Sequence, residues 1–245
     1  MKILVLTAVL FLITVPVYAE TAMDGDSDGL TDEAENNIYY TDQFRADTDG
    51  DGYSDGDEVK NGYSPLNSGK VKLRDNDFDH DGLSDDLEIK FKTNLTSSDS
   101  DSDGHKDGQE IFGGYNPLDL KAGAKLNKKI EINTKQQKLS YFLGGVKLGE
   151  FSVSSGKNNS TPKGTFKVLN KSPKAWSPYG LWMPYWIGLA TGKFGIHELP
   201  IWPNGYREGA DHLGHPVSHG CIRLGIGPAK IIYDWAEKGM PVFIN

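Results

Sequence analysis

The chain has 245 residues, of which 37% are hydrophobic and 24% charged, and a net charge of −8. That length suits one large domain or two modest ones, and the single cysteine excludes any intramolecular disulfide framework. Charge is unevenly spread: residues 20–122 carry 27 acidic against 9 basic side chains, net −18, while 123–245 carry 7 against 16, net +9. Halves of opposite sign point to two modules with different partners.

In chain order, the first element is a targeting segment at 1–19. Lys2 gives the positive start, and Ile3 to Val15 is an apolar run broken only by threonines. Val17-Tyr18-Ala19 then supplies a cleavage site, so Glu20 is the expected first mature residue. At 13 residues the run is short for a membrane span, the alternative being an uncleaved anchor. No cysteine adjoins the cleavage point, which argues against a lipoprotein, and no later stretch looks transmembrane. The expectation is export to the periplasm or cell wall, with no membrane attachment after cleavage and no nucleic acid as partner.

Residues 20–119 contain one twelve-residue pattern four times. Asp occupies positions 1, 3, 5 and 9, Gly position 6 and Glu position 12. The first loop has Asp24, Asp26, Asp28, Asp32 and Glu35; the second has Asp47, Asp49, Asp51, Asp55 and Glu58. The third has Asp77, Asp79, Asp81, Asp85 and Glu88; the fourth has Asp99, Asp101, Asp103, Asp107 and Glu110. Calcium takes six to eight oxygens, and this spacing converges side chains on one point. Leu30, Tyr53, Leu83 and His105, at position 7, would add backbone carbonyls. Without a cation, five carboxylates in so short a loop repel one another. The first and third loops begin at Asp24 and Asp77, the second and fourth at Asp47 and Asp99. Tyr63-Ser-Pro-Leu66 and Tyr115-Asn-Pro-Leu118 recur with them, so a two-loop unit of about fifty residues is present twice. Short stretches such as Asp86 to Phe91 predict one or two helical turns after a loop.

This pattern resembles thrombospondin type 3-like calcium repeats. It departs from an EF-hand: no long apolar helix precedes each loop, and position 8 carries Thr31, Ser54, Ser84 and Lys106 instead of an aliphatic residue. The resemblance implies a stiff spacer or docking module with structural Ca2+, not a sensor. Residues 120–127 then read as a linker.

From 128 onward alternation appears. Ile130–Asn133, Leu139–Leu143, Val146–Val153 and Gly164–Leu169 predict strands separated by glycine-containing turns. Pro228–Lys238 predicts a helix that turns Ile231, Ile232 and Trp235 to a core, and Pro241–Ile244 a last strand. The fold expected for 128–245 is a mostly β sandwich or barrel with one or two helices, preceded by an irregular calcium-loop module with short helices.

The chemistry concentrates in Ser218-His219-Gly220-Cys221-Ile222-Arg223. A thiol becomes a strong nucleophile beside a group that takes its proton, and His219 and the upstream His197 are the imidazoles nearby. Gly220 permits close backbone approach to a substrate, and peptide N–H groups near Cys221 suit a developing oxyanion. Arg223 offers a planar fork for a carboxylate.

This half resembles the L,D-transpeptidase catalytic (YkuD-like) family, whose motif is a His, a spacer, then Ser/Thr-His-Gly-Cys, an apolar residue and Arg or Asn. His197 and Ser218 to Arg223 match it, and Ser154-Ser155-Gly156, Thr161 to Phe166 and Met183-Pro-Tyr-Trp186 follow in the family's order. The spacer of twenty residues between His197 and Ser218 is longer than the family usually has, and the excess falls in Trp202–Gly209.

The resemblance implies that Cys221 attacks a peptidoglycan stem tetrapeptide, with His197 as base oriented by the Glu198 carbonyl and His219 lining the site. It also implies oxyanion donors at Gly220 and Cys221. Arg223, Tyr185 and Trp186 are the candidate substrate contacts, the aromatic pair doubling as core or cleft wall. Loss of D-alanine and attack by a second stem's amine would give a 3→3 cross-link, with no cofactor for catalysis. Two alternatives stand beside this: transfer to water or to a wall-attached protein, and a calcium-dependent wall-binding protein with a vestigial catalytic domain.

Overall fold

The computed structural model describes residues 22–121, 123–190 and 194–245. The expected targeting segment at 1–19 lies outside them. No helix among the described residues is long and apolar enough to cross a membrane.

Each acidic loop runs into a short helix. These are α1 (Asp32–Ala34), prolonged by a π-helical turn (Glu35–Tyr39), α2 (Asp55–Lys60), α3 (Asp85–Phe91) and α4 (Asp107–Gly113). The residue at loop position 8 is extended and caps the helix; the Thr31 and Ser54 hydroxyls accept the Ala34 and Asp57 N–H groups. The position-6 glycines have φ of +100° (Gly29), +96° (Gly52), +98° (Gly82) and +95° (Gly104), a region costly for any residue with a Cβ.

The two-loop repeat has a structural basis. Gly56 N–H donates to Asp28 Oδ2 at 2.7 Å, and Gly108 N–H to Asp81 Oδ2 at 2.6 Å. The second loop thus docks on the first, and the fourth on the third. A Cβ on Gly56 would fall 2.3 Å from the Asp28 carbonyl oxygen, and one on Gly108 2.7 Å from that of Asp81. After each pair the chain folds back, bridging Tyr63 to Lys72 and Tyr115 to Lys125.

The C-terminal half is a closed eight-stranded barrel in the order β1-β2-β3-β7-β6-β5-β4-β8. The strands are β1 (Lys128–Asn133), β2 (Lys138–Leu143), β3 (Val146–Ser154), β4 (Gly164–Trp176), β5 (Trp182–Leu189), β6 (Phe194–Glu198), β7 (Ile222–Leu224) and β8 (Pro241–Ile244). Closure leaves no free sheet edge. Neighbours are antiparallel except β1–β8 and β6–β7. Ile130, Ile132, Leu139, Val153, Ile187, Ile196, Ile222 and Val242 fill the core.

Strands β5, β6 and β7 go beyond the elements predicted from sequence. β6 and β7 are buried at nearly every position, so the period-two signal is missing, and Pro184 interrupts β5. The helix α5 (Pro228–Trp235) is shorter than predicted. Lys128 Nζ and Lys171 Nζ donate to the Trp235 and Ala236 carbonyls at 3.3 and 2.7 Å, satisfying its end there. Ile232 and Trp235 enter the core as expected, but Ile231 is exposed.

The predicted linker at 120–127 is pinned at its far end. Leu126 N–H donates to the Gly114 carbonyl at 3.0 Å, and its side chain joins a second apolar cluster. That cluster unites the halves: Leu83 and Ile111 from the acidic module meet Leu143 of β2, with Leu87, Phe91, Leu126 and Leu148 around them. Leu83 is position 7 of the third loop, and Ile111 directly follows the last residue of the fourth.

Candidate functional site

The parallel pairing of β6 and β7 sets the geometry. Ile196 lies opposite Ile222 and His197 opposite Arg223. Alternation along a strand sends Ile196 and Ile222 into the core. His197 and Arg223 therefore share the other face, with Cys221 on the same side, diagonal to His197. All three line a cavity of about 490 Å³ with Trp186, His219 and Tyr179.

His197 is buried. Its Nδ1 lies 2.5 Å from the Glu198 carbonyl oxygen, which can only accept; Nδ1 therefore carries the proton, leaving Nε2 as the basic nitrogen. Burial, with Arg223 adding to it, pushes the imidazole down to about 4, so it is neutral at ordinary pH. Burial also pushes the Cys221 thiol up, opposed by the Gly195 N–H and by Arg223. The resting pair is thus a neutral thiol and a neutral imidazole.

The loop before Cys221 is braced from within. Ser218 Oγ donates to the Cys221 carbonyl at 2.6 Å and accepts the Gly220 N–H at 3.0 Å. Thr161 Oγ1 donates to the Gly220 carbonyl at 2.9 Å and accepts the Gly156 N–H at 2.7 Å. Gly220 has φ of +139°, reached at little cost by glycine alone. One expectation is corrected here. The Gly220 amide is taken by Ser218 and is not a free oxyanion donor, which leaves the Cys221 amide. Ser218 and Gly220 shape the loop.

His219 is exposed and stacks on Tyr179, ring centroids 4.2 Å apart. Tyr179 sits in the β4–β5 connection, and nothing in its sequence context marked it. Trp186 lines the cavity, 6.0 Å from the His197 ring and held by Asn170 through its Nε1–H. Tyr185 does not line the cavity. As the neighbour of Trp186 on β5 it points the other way and packs on Tyr233 of α5. Arg223 lines the cavity but is buried and pairs with Glu208 at 3.3 Å, so it is not the free guanidinium the sequence suggested.

In the acidic module, the carboxylates at positions 1, 3 and 5 of every loop bring an oxygen within 4.8 Å of one another. At position 3, Asp26, Asp49, Asp79 and Asp101 each keep one buried oxygen without a hydrogen-bond partner. The same holds at position 12 for Glu35, Glu58, Glu88 and Glu110. Unpartnered buried carboxylate oxygens are costly, and hard oxygens in this spacing fit calcium. Burial and the neighbouring aspartates push Glu35 and Glu110 up to about 7, and Glu58 and Glu88 up to about 8.

Position 9 departs from a direct ligand role. Asp32, Asp55, Asp85 and Asp107 instead accept the backbone N–H of position 2: Gly25 at 2.7, Thr48 at 2.9, Phe78 at 3.1 and Ser100 at 3.1 Å. Leu30, Tyr53, Leu83 and His105 stand at position 7 with only their carbonyls relevant to an ion, and the Leu83 side chain serves the interface between the halves.

Comparison with known proteins gives a match in each half of the chain. Residues 127–244 match the L,D-transpeptidase catalytic domain (YkuD), and residues 47–62 match the bacterial TSP3 repeat. YciB of Bacillus subtilis, a candidate L,D-transpeptidase, is 33% identical over 125 residues, 47% of this chain and 64% of its own. YkuD of Bacillus licheniformis, with the same candidate assignment, is 33% identical over 64 residues, 26% of this chain and 32% of its own. A solved L,D-transpeptidase from Mycobacterium smegmatis is 23% identical, covers 50% of this chain and 60% of its own, and has a TM-score of 0.43. This chain spans less than two thirds of each of these relatives.

Proposed function

We propose that this chain, whose residues 127–244 match the L,D-transpeptidase catalytic domain, is an exported acyltransferase of peptidoglycan stem peptides with Cys221 as nucleophile. The observation that carries the assignment is the sharing of one strand face and one cavity by Cys221 and a buried His197 of fixed tautomer.

The thiol gives its proton to His197 Nε2 as the sulfur attacks the carbonyl of the third stem residue. The oxyanion forms against the Cys221 amide. Collapse breaks the bond to the terminal D-alanine, whose nitrogen leaves with the proton from His197. A thioester remains. The side-chain amine of a second stem then attacks it, His197 takes the amine proton, and the thiol is restored as the 3→3 bond forms. Water as acceptor would give a carboxypeptidase, and a protein amine would give wall attachment.

The four acidic loops are proposed to hold Ca2+, with positions 1, 3, 5 and 12 as carboxylate ligands and position 7 as carbonyl ligand. Calcium would neutralise the charge that these loops bury. The leader at 1–19 supports export, and the basic surface of the barrel suits an anionic wall.

Incubating the protein with purified tetrapeptide muropeptides and a carbapenem, each read by mass spectrometry, tests the assignment. Wild type is expected to give cross-linked dimers and a covalent adduct, and Cys221→Ala neither. An adduct surviving in Cys221→Ala would displace the nucleophile; wall binding without any change in muropeptides would favour the non-enzymatic alternative.

A further inference from the structure

The segment between His197 and Ser218 folds as a flap. The Trp182 N–H donates to the Ile201 carbonyl at 2.8 Å, and the Trp202 N–H to the Tyr206 carbonyl at 2.8 Å. Ile201 bridges both Trp182 and Arg207, so the flap is laid onto the end of β5. At its return stand two adjacent residues of opposite charge. Arg207 forms an ion pair with Glu198, the residue after His197, whose side chain is only 5% exposed. Glu208 pairs with Arg223, two residues after Cys221, at 3.3 Å. Glu208 is itself fixed: its N–H donates to the Pro200 carbonyl at 2.9 Å, and it accepts the Trp202 Nε1–H at 3.0 Å.

Consecutive residues of an extended segment point to opposite sides, as do Glu198 and Arg223, which sit at successive register positions of adjacent strands. One dipeptide therefore grips the base-bearing strand on one face and the nucleophile-bearing strand on the other. The grip on Glu198 bears directly on chemistry, because the carbonyl of that same residue holds His197 Nδ1. The grip of Glu208 keeps Arg223 against the cavity wall and neutralises a buried guanidinium whose one acidic partner among the described residues it is.

We propose that Arg207 and Glu208 are positioning residues that hold the His197 imidazole in register with the Cys221 sulfur. The flap they close would act through that geometry without touching the reacting atoms. The inference rests on Cys221 and His197 being the reacting pair.

The test compares Arg207→Gln and Glu208→Gln with wild type, with Cys221→Ala, and with Tyr206→Ala, whose side chain is an exposed flap residue outside both ion pairs. Three quantities are read: the rate of carbapenem acylation, the rate of alkylation by iodoacetamide at high pH, and the NMR resonance of the His197 Nδ1 proton. Acylation is expected to slow about tenfold to a hundredfold in the two clamp variants, the range for misplacing a reacting group. Their Nδ1 resonance should move, while alkylation at high pH, which needs only an accessible sulfur, stays near wild type. Tyr206→Ala should match wild type throughout.

Unchanged acylation and an unmoved resonance in both variants would overturn the proposal. So would a parallel fall of acylation and alkylation, which marks general damage to the site. If wild type itself takes no carbapenem, the assignment of the reacting pair fails instead, and the Nδ1 resonance of the variants still decides whether the clamp orients His197.

Discussion

Among the described residues, the acidic module buries four large apolar side chains, Leu30, Leu83, Leu95 and Ile111, whereas the barrel buries more than twenty hydrophobic residues. For buried acids the ratio reverses: Glu35, Asp55, Glu58, Asp81, Asp85, Glu88, Asp107 and Glu110 in the module, against Glu198 in the barrel. The barrel is held by burial of apolar surface, which requires nothing from outside the chain. The module has an interior of mutually repelling carboxylates, which the proposed Ca2+ would neutralise. Two of its four apolar anchors, Leu83 and Ile111, are committed to the contact with the barrel. On the calcium proposal, order in the module depends on ion and neighbour together.

The sharpest way to break this contrast is to remove the cation. Chelation is expected to open residues 24–119 to protease within the intact chain while the barrel stays resistant. Equal resistance of the module with and without calcium would mean that the loops are ordered by their hydrogen bonds alone.

The contact between halves comes next. Leu83 is fully buried in it, and Leu83→Ala should cost about 2–5 kcal/mol, the usual range for emptying a packed leucine site. Calorimetry should show the module's transition falling and the barrel's following by a smaller amount. A barrel transition unmoved by this variant would show that the halves are joined without coupling.

The halves should also respond to acid in opposite senses. His197 is held near 4 in the folded barrel against an ordinary 6.5. Unfolded chains therefore bind its proton first, and barrel stability is lost as pH falls from about 6.5 to 4, by up to about 3 kcal/mol. His197→Gln should flatten that slope in thermal melts. In the calcium-free module, Glu58 and Glu88 are raised to about 8 from 4.5. The folded form keeps those protons while the unfolded form releases them, so stability there is lost as pH rises from about 4.5 to 8. Chelated samples melted across this range should show the module strengthening on acidification while the barrel weakens; slopes of the same sign would contradict the buried-carboxylate account.

The smallest effect expected is on loop pairing. Gly108→Ala forces a Cβ to within 2.7 Å of the Asp81 carbonyl, and a shift of that kind costs about 1–3 kcal/mol. The third and fourth loops should loosen together, seen as faster amide exchange in both, with the first pair unaffected. Exchange accelerated in the fourth loop alone would show that the loops are independent.

Much of the molecule was legible in the chain itself. The calcium-type loops were readable because their ligand spacing is local: every residue that converges on one point lies within twelve positions. The Ser-His-Gly-Cys run was readable for the same reason, as were β1, β2, β3 and β8, each with enough alternation to show a face. The helix at Pro228 announced its start but not its end, because lysines from β1 and β4 complete its last turn. Tyr185 and Trp186 could be placed near the site together, yet one faces the cavity and the other α5, and that depends on which face of β5 looks inward.

Sequence alone determined that this chain joins an array of acidic loops to a thiol-bearing β domain, since both signals are written in short-range spacing. Tertiary structure decided what those residues do to one another. It spent the Gly220 amide on Ser218, turned the position-9 aspartates to loop closure and gave Arg223 a carboxylate from a flap fifteen residues away. It also seated the acidic module on the barrel through Leu83 and Ile111. The reason is physical: a hydrogen bond or ion pair between distant segments depends on strand order, register and facing, and none of these is encoded in the spacing of neighbouring residues.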